Sequence, residues 1–320
     1  MKDKINLKRL MKLTGNIIVI AALAFIVKKF ADMDIDPKSF RSTGVIVSLA
    51  VGAAVQTLLI VLGCYLWLVF TQSLSGRKIP FSAAMPVYTK SNIYKYLPGN
   101  VFQYVGRNKL AADMKISHVD VACATVFDIA FCVISTGIVS VVLLGGAIAE
   151  LLEKYGRNLV IAAVCIISVT AVLGIFVFIK FREKLGEYLS RYSKAFSRRN
   201  FPKLLSGALY YFFNAILSAV MYFTALKLIL GSEAEVSEIL TLTGAFMFAW
   251  IIGFVTPGAP GGIGIREGVM IFVSGDKFAD KIVLFVLVMR VSSVVADIFA
   301  FVIGRMYSVV KSAEHTEKVL

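Results

Sequence analysis

Pro257-Gly258-Ala259-Pro260-Gly261-Gly262 interrupts a chain that is otherwise largely apolar, and Leu97-Pro98-Gly99-Asn100 interrupts it a second time. An arginine follows each break: Arg266 comes after the glycine-rich break, and Arg107 comes after the other. Backbone can be broken at membrane depth only where protein or a watery cavity satisfies its polar groups. Discontinuous segments of this kind often form the binding sites of transporters. We therefore expect function to lie at the two breaks, whose helix-breaking residues are Pro98, Gly99, Pro257, Pro260, Gly261 and Gly262.

The composition predicts an integral membrane protein. Of the 320 residues 58% are hydrophobic, and the mean hydropathy is +0.81. This is more apolar surface than a soluble domain of the same length would bury. No stretch is both long and polar enough to fold as a soluble catalytic domain. The sequence thus predicts an all-α, polytopic helical bundle with a single transmembrane domain over residues 1–320.

Apolar runs of about twenty residues, the length that spans a bilayer, predict seven clear membrane spans. The two broken segments, at about 80–110 and 257–275, are expected to be re-entrant or discontinuous, and the second could cross as an eighth span. The seven predicted spans are 13–31, 43–70, 119–147, 158–180, 204–230, 236–256 and 281–304.

The distribution of charge predicts the orientation. Lysine and arginine are concentrated in the loops 71–118 and 180–203, whereas the loops 31–42 and 231–238 are acidic. The positive-inside rule places the basic loops and the N-terminus in the cytoplasm, so we expect a multi-pass protein of the cytoplasmic membrane. Seven crossings would leave the C-terminus outside, but its basic residues favour the inside, and an eighth crossing would resolve this. The net charge of +14 lies in short loops beside the spans, which argues for anionic lipid rather than nucleic acid as its partner.

Two ionisable residues lie deep within predicted spans. Asp128 and Arg290 are each roughly 14 Å into their spans, at about 1.5 Å per residue. Ionisable groups at this depth are costly unless they are paired or hydrated, and they commonly mark an interior site. One interpretation is that Asp128 and Arg290 pair with each other and lock two helices together. The other is that Arg290, Arg266 and Arg107 form an electropositive pocket for phosphate, because a guanidinium binds phosphate with two donors and stays charged when desolvated.

Three acidic residues are expected to act as counter-charges to these arginines: Asp128, Glu267 and Asp297. Glu267 adjoins Arg266, and Asp297 lies two turns after Arg290 on a similar face, too far along the helix for direct pairing. No nucleophile and base arrangement and no nucleotide fingerprint is present. The four cysteines lie in apolar runs without metal-ligand spacing. We therefore predict no catalytic residue, no metal and no cofactor.

The two breaks also carry a resemblance. The sequence from Lys95-Tyr96-Leu97-Pro98-Gly99-Asn100 to Gly106-Arg107, the sequence Pro260-Gly261-Gly262-Ile263-Gly264-Ile265-Arg266-Glu267, and Arg290 in the last span resemble the lysylphosphatidylglycerol synthase transmembrane, or flippase-like, family. In the bifunctional synthases of that family a membrane part moves aminoacylated lipid between leaflets, and a separate soluble domain makes that lipid. This chain is similar to the membrane part alone.

The resemblance implies a flippase-like protein that moves a phospholipid, such as aminoacylated phosphatidylglycerol, or a polyprenyl-linked glycan between leaflets. Its partners would be that anionic or polyprenyl-linked membrane lipid and a separate synthase or glycosyltransferase. Two alternatives stay open: a membrane transferase of the phosphatidylglycerol lysyltransferase type, and an accessory subunit of a lipid or glycan synthesis system. The first is disfavoured because the sequence shows no acid and base pair.

Overall fold

The computed structural model describes residues 40–96, 102–145, 200–255 and 265–317, together with residues 153, 156 and 198. These residues form helices joined by short turns, with no strand among them, so the all-α prediction is confirmed. The predicted spans 13–31 and 158–180 lie outside the described residues. So do the helix-breaking residues of both Pro-Gly segments: Pro98, Gly99, Pro257, Pro260, Gly261 and Gly262.

Five helices of the described part are long and apolar enough to cross a membrane, and they coincide with five of the seven predicted spans. Three further helices are shorter. In chain order the helices are α1 Thr43–Ser75, α2 Phe81–Ile93, α3 Phe102–Ala111, α4 His118–Gly145, α5 Phe201–Leu230, α6 Val236–Val255, α7 Ile265–Ser274 and α8 Ala279–Glu317. The five that could cross a membrane are α1, α4, α5, α6 and α8.

Local sequence sets the limits of α1. The side chain of Ser42 accepts a hydrogen bond from the Val45 amide at 3.2 Å, and so it caps the first turn. Gly76 ends the helix with a φ of 66°, a left-handed conformation that glycine adopts without a steric penalty. At 33 residues the helix is about 50 Å long, which exceeds the bilayer core of about 30 Å.

Contacts between helices define two ends of the bundle. A Cβ on Gly44 would lie 2.6 Å from the Leu228 carbonyl oxygen, so α1 begins beside the last turns of α5. We call this the Glu233 end, after the turn that follows α5. At the opposite end, the Arg77 end, the Arg77 guanidinium donates to the Lys115 carbonyl oxygen at 2.8 Å.

Helices α2 and α3 leave the Arg77 end and return to it. Phe81, at the start of α2, packs on Tyr307 of α8 with ring centroids 5.7 Å apart. Further along, Tyr96 reaches Asp297, ten residues nearer to the start of α8. After α3 the chain is again at Lys115, beside Arg77. The two short helices are therefore arms of a hairpin that enters the bundle from one end.

Helices α6 and α8 both begin at the Glu233 end of the bundle. Helix α6 begins at the Glu233 end, and its last turn reaches α3, where Phe254 lies 6.3 Å from Tyr104 between ring centroids. Helix α8 also begins at the Glu233 end, because Lys281 pairs with Glu233 at 2.5 Å. Helix α6 therefore ends on the α3 side of the bundle, whereas α8 begins at the end where α6 also begins.

Polar and apolar groups are arranged as in a protein that faces lipid. Large apolar side chains are exposed along α4, α5 and α8, among them Val142, Phe213 and Val309. Some buried hydroxyls bond within their own helices, as Thr71 does to the Trp67 carbonyl oxygen at 2.7 Å, which satisfies them without water. Small residues bring helices together: Ser140 of α4 donates to the carbonyl oxygen of Gly244 in α6 at 2.8 Å.

Candidate functional site

An ion pair links α7 to α8 in the middle of the bundle. Arg290 Nη2 lies 3.0 Å from Glu267 Oε1 and 3.2 Å from Glu267 Oε2, and the two side chains are 12% and 16% exposed. Glu267 lies in the first turn of α7, where the helix dipole favours a carboxylate. Arg290 lies eleven residues into α8, or about 16 Å from the Glu233 end. The sequence pattern predicted Glu267 as a counter-charge, and its partner is Arg290.

Arg266 stands beside this pair without a comparable partner in the described part of the chain. Its Nε atom is buried and has no hydrogen-bond partner among the described residues. Its guanidinium lies 6.0 Å from the centre of the Phe246 ring, a cation-π contact with α6. Arg266 and Arg290 are near enough for their charges to interact.

Together these three residues hold an excess of positive charge. The Arg266, Arg290 and Glu267 side chains, which we call the arginine site, comprise two guanidinium groups and one carboxylate. The neighbouring residues 256–264 cannot supply a second carboxylate, because their sequence has no charged side chain. A desolvated charge without a counter-charge is costly. The arginine site is therefore suited to an anion that enters from outside the chain.

Asp297 is the counter-charge of a lysine rather than of one of the three arginines. It is 1% exposed and pairs with Lys95 Nζ at 2.7 Å, and it accepts a hydrogen bond from the Tyr96 hydroxyl at 2.5 Å. Lys95 and Tyr96 immediately precede the first Pro-Gly segment. Helix α8 thus contacts a flank of each Pro-Gly segment. Asp297 binds Lys95 and Tyr96, which precede the first segment. Arg290 binds Glu267, which follows the second.

Arg107 belongs to a second buried cluster, nearer to the Arg77 end. Arg107 Nη1 lies 2.9 Å from Asp128 Oδ2, and the two side chains are 3% and 11% exposed. Its Nε and Nη2 atoms donate to Ser91 Oγ and Asn92 Oδ1, each at 3.2 Å. The guanidinium also lies 4.0 Å from the centre of the Tyr88 ring. The Asp128 carboxylate accepts a further hydrogen bond from the Tyr211 hydroxyl.

The structure resolves how the predicted charges pair. Asp128 binds Arg107 and Arg290 binds Glu267, so the interpretation that Asp128 and Arg290 pair with each other is wrong. The physical reason is helix packing: Asp128 faces Arg107 of α3 and Tyr211 of α5, whereas Arg290 faces Glu267 of α7. Of the three arginines expected in one pocket, Arg266 and Arg290 lie together. Arg107 lies in the other cluster, with its charge already matched by Asp128.

Several residues of these clusters were not evident from the sequence. Lys95 is part of a motif, but nothing in the pattern links it to Asp297. Ser91 and Asn92 complete the surroundings of Arg107, and Trp67 adds an aromatic face 5.6 Å from its guanidinium. Their signal is weak because single polar residues in short helices are common. Within the described part of the chain no group of three or more histidine, cysteine or carboxylate side chains is placed to bind a metal.

The chain matches no protein-family model, no curated protein and no solved structure. The two charge clusters, and above all the excess of positive charge at the arginine site, are therefore the features from which a function can be inferred.

Proposed function

We propose that this protein is a flippase-like protein of the cytoplasmic membrane that moves an anionic phospholipid between leaflets. The observation that carries the proposal is the arginine site, where the partly buried Arg266 and Arg290 guanidinium groups stand beside a single carboxylate, that of Glu267, which pairs with Arg290. A phosphodiester would supply the missing negative charge, and a guanidinium offers paired donors that match phosphate oxygens. The resemblance of both Pro-Gly segments to the flippase-like family supports the same assignment.

The proposed topology has eight crossings, with the N-terminus, the loops 71–118 and 180–203, and the C-terminus in the cytoplasm. The ends of two described helices support the eighth crossing: α6 ends beside α3, at Phe254, and α8 begins at the Glu233 end, where Lys281 pairs with Glu233. The α2–α3 hairpin supports a re-entrant first segment, since it begins and ends at the Arg77 end. The Arg77 end would then face the cytoplasm, and the acidic turn at Glu233 would face outward.

The position of the arginine site favours transport over simple lipid binding at the membrane surface. Arg290 is about 16 Å from the start of α8, close to half of the bilayer core of about 30 Å. A lipid headgroup does not reach this depth in an undisturbed bilayer. Binding there requires the headgroup to leave its own leaflet, which is the first half of translocation.

A leaflet-resolved assay tests the proposal. The purified protein is reconstituted into vesicles that contain fluorescently labelled phosphatidylglycerol, and dithionite quenches the label in the outer leaflet. We expect the parent protein to expose nearly all of the label to dithionite, and Arg266→Gln and Arg290→Gln to slow this exposure by about tenfold, or ~1.4 kcal/mol. The matched control is Arg305→Gln, because Arg305 is an exposed arginine on the same helix as Arg290. Equal rates in vesicles with and without the parent protein would contradict the proposal.

A further inference from the structure

Helix α5 carries a row of polar side chains on its inward face. Tyr210, Asn214, Ser218 and Tyr222 recur at intervals of four residues, a spacing that places each member on nearly the same side of the helix as the next. All four are partly buried. The other side of the same helix is apolar and exposed, as Phe213, Ile216 and Val220 show. We call Tyr210, Asn214, Ser218 and Tyr222 the α5 polar row.

Hydrogen bonds connect three members of this row. Asn214 Nδ2 donates to the Tyr210 hydroxyl at 3.4 Å, and Ser218 Oγ donates to Asn214 Oδ1 at 3.5 Å. The Tyr210 hydroxyl donates in turn to the Leu59 carbonyl oxygen of α1 at 2.9 Å. The first two distances are long for hydrogen bonds. The side chains therefore hold one another loosely and can exchange partners at small cost.

The two ends of the row lie at the two charge clusters. Tyr210 packs on Tyr211 with ring centroids 5.1 Å apart, and the Tyr211 hydroxyl donates to Asp128. At the other end, Tyr222 packs on Phe246 with ring centroids 4.7 Å apart, and Arg266 lies 6.0 Å from the centre of that same ring. The distance along the helix from Tyr210 to Tyr222 is about 18 Å. This is more than half of the bilayer core of about 30 Å.

We propose that the α5 polar row is the path by which the headgroup of an anionic phospholipid moves between the arginine site and the Arg77 end of the bundle. The inference rests on the proposed function and assigns the route that the function needs. Amide and hydroxyl groups suit a path better than further arginines would, because neutral hydrogen bonds to phosphate are weaker than charge-assisted ones and release the ligand sooner. The acyl chains stay in the lipid while the headgroup follows the row.

Replacing the row by apolar groups of similar size tests the path. The double variant Asn214→Leu with Ser218→Ala should bind short-chain phosphatidylglycerol in detergent as the parent does, because the arginine site is intact. Its rate of lipid flipping should fall by at least about tenfold, or ~1.4 kcal/mol. Ile216→Leu, the matched control on the exposed, lipid-facing side of the same helix, should keep the parent rate. A double variant that stays folded and flips labelled phosphatidylglycerol at the parent rate would overturn the inference.

A second measurement does not depend on transport or on the double variant. A cysteine at Ser218 should react with a charged, water-soluble methanethiosulfonate reagent in membranes much faster than a cysteine at Ile216, with the parent protein as the background for its native cysteines. Equal, slow reaction at both positions would show that water does not reach the α5 polar row, and it would overturn the proposal that the row is the headgroup path. Failure of the proposed function would look different. The parent protein itself would then flip no lipid, whatever the reactivity of the cysteine at position 218.

Discussion

Arg107 and Asp128 form a buried ion pair that joins α3, in the α2–α3 hairpin, to the long helix α4. Their side chains meet at 2.9 Å between α3 and α4, and hydrogen bonds from Arg107 to Ser91 and Asn92 tie the same guanidinium to α2. One side chain thus connects three helices. The pair therefore holds the α2–α3 hairpin in the bundle.

The first prediction concerns this pair. Arg107→Gln should destabilise the protein by about 3–5 kcal/mol, because it leaves the Asp128 carboxylate buried without a cation. Adding Asp128→Asn should recover a large part of that loss, since the remaining groups are then neutral. Thermal unfolding of the purified variants in detergent measures both effects. If Arg107→Gln unfolds at the parent temperature, the pair does not stabilise the fold.

Glu267 should compete with the ligand for Arg290. Glu267→Gln removes the carboxylate that lies 3.0 Å from the guanidinium, so binding of phosphatidylglycerol should tighten by about fivefold, or ~1 kcal/mol. Native mass spectrometry of the protein with phosphatidylglycerol in detergent measures the change. The matched control is Glu238→Gln, because Glu238 pairs with Lys277 at the surface. Weaker binding of phosphatidylglycerol by Glu267→Gln would show that Glu267 positions Arg290 for the lipid rather than competing with the lipid for it.

Asp297 should matter for stability more than a surface pair does. Asp297→Asn removes the charge that binds Lys95 but leaves an acceptor for Tyr96, so we expect a loss of about 1–3 kcal/mol. Lys281→Met breaks the more exposed pair with Glu233 and should cost no more than about 1 kcal/mol. Unfolding temperatures of the two variants, compared under the same conditions, decide the order. If Lys281→Met lowers the unfolding temperature more than Asp297→Asn does, the contacts of Asp297 with Lys95 and Tyr96 do not contribute more to stability than the surface pair.

The close approach of α8 to α2 gives a prediction about packing. A Cβ on Gly304 would lie 2.6 Å from Thr89 Oγ1 and 3.4 Å from the Met85 carbonyl oxygen, so Gly304→Ala should destabilise by about 1–3 kcal/mol. Gly137→Ala is the control, because its Cβ would meet only Ile251 Cδ1 at an ordinary 3.7 Å among the described residues. The better helix propensity of alanine should leave that variant as stable as the parent or slightly more so. If the two variants are equally destabilised, the close contact of Gly304 with Thr89 and Met85 is not the cause of the loss of stability.

The last prediction fixes the orientation. A cysteine at Ser232, at the Glu233 end, should react with a membrane-impermeant maleimide in intact cells. A cysteine at Ser117, which is exposed at the Arg77 end, should react only after permeabilisation. The physical reason is the concentration of lysine and arginine in the loops beside Arg77. Labelling of Ser117→Cys from outside, with protection of Ser232→Cys, would reverse the assignment.

Much of the fold was predictable because it depends on local sequence. Five of the predicted spans match helices that could cross a membrane, since length and hydropathy alone define such helices. The ionisable residues of the two clusters were also evident, because a buried charge in an apolar run is costly wherever it lies. Asp128 and Arg290 were selected on this ground, whereas Arg266 was selected because it follows a break and Glu267 because it adjoins Arg266.

The partners of these residues were decided by the tertiary structure alone. Position along a helix gives the depth and face of a side chain, but the neighbour across the interface depends on how two helices are rotated and shifted against each other. Depth alone made Asp128 and Arg290 plausible partners, yet packing brings Arg107 to Asp128 and Glu267 to Arg290. Asp297 likewise reaches Lys95, which is distant in sequence. The sequence determined which charges the membrane domain contains, and helix packing determined which of them pair. The reason is that the attraction between two charges depends on the distance between them, and packing sets that distance to within a few ångströms.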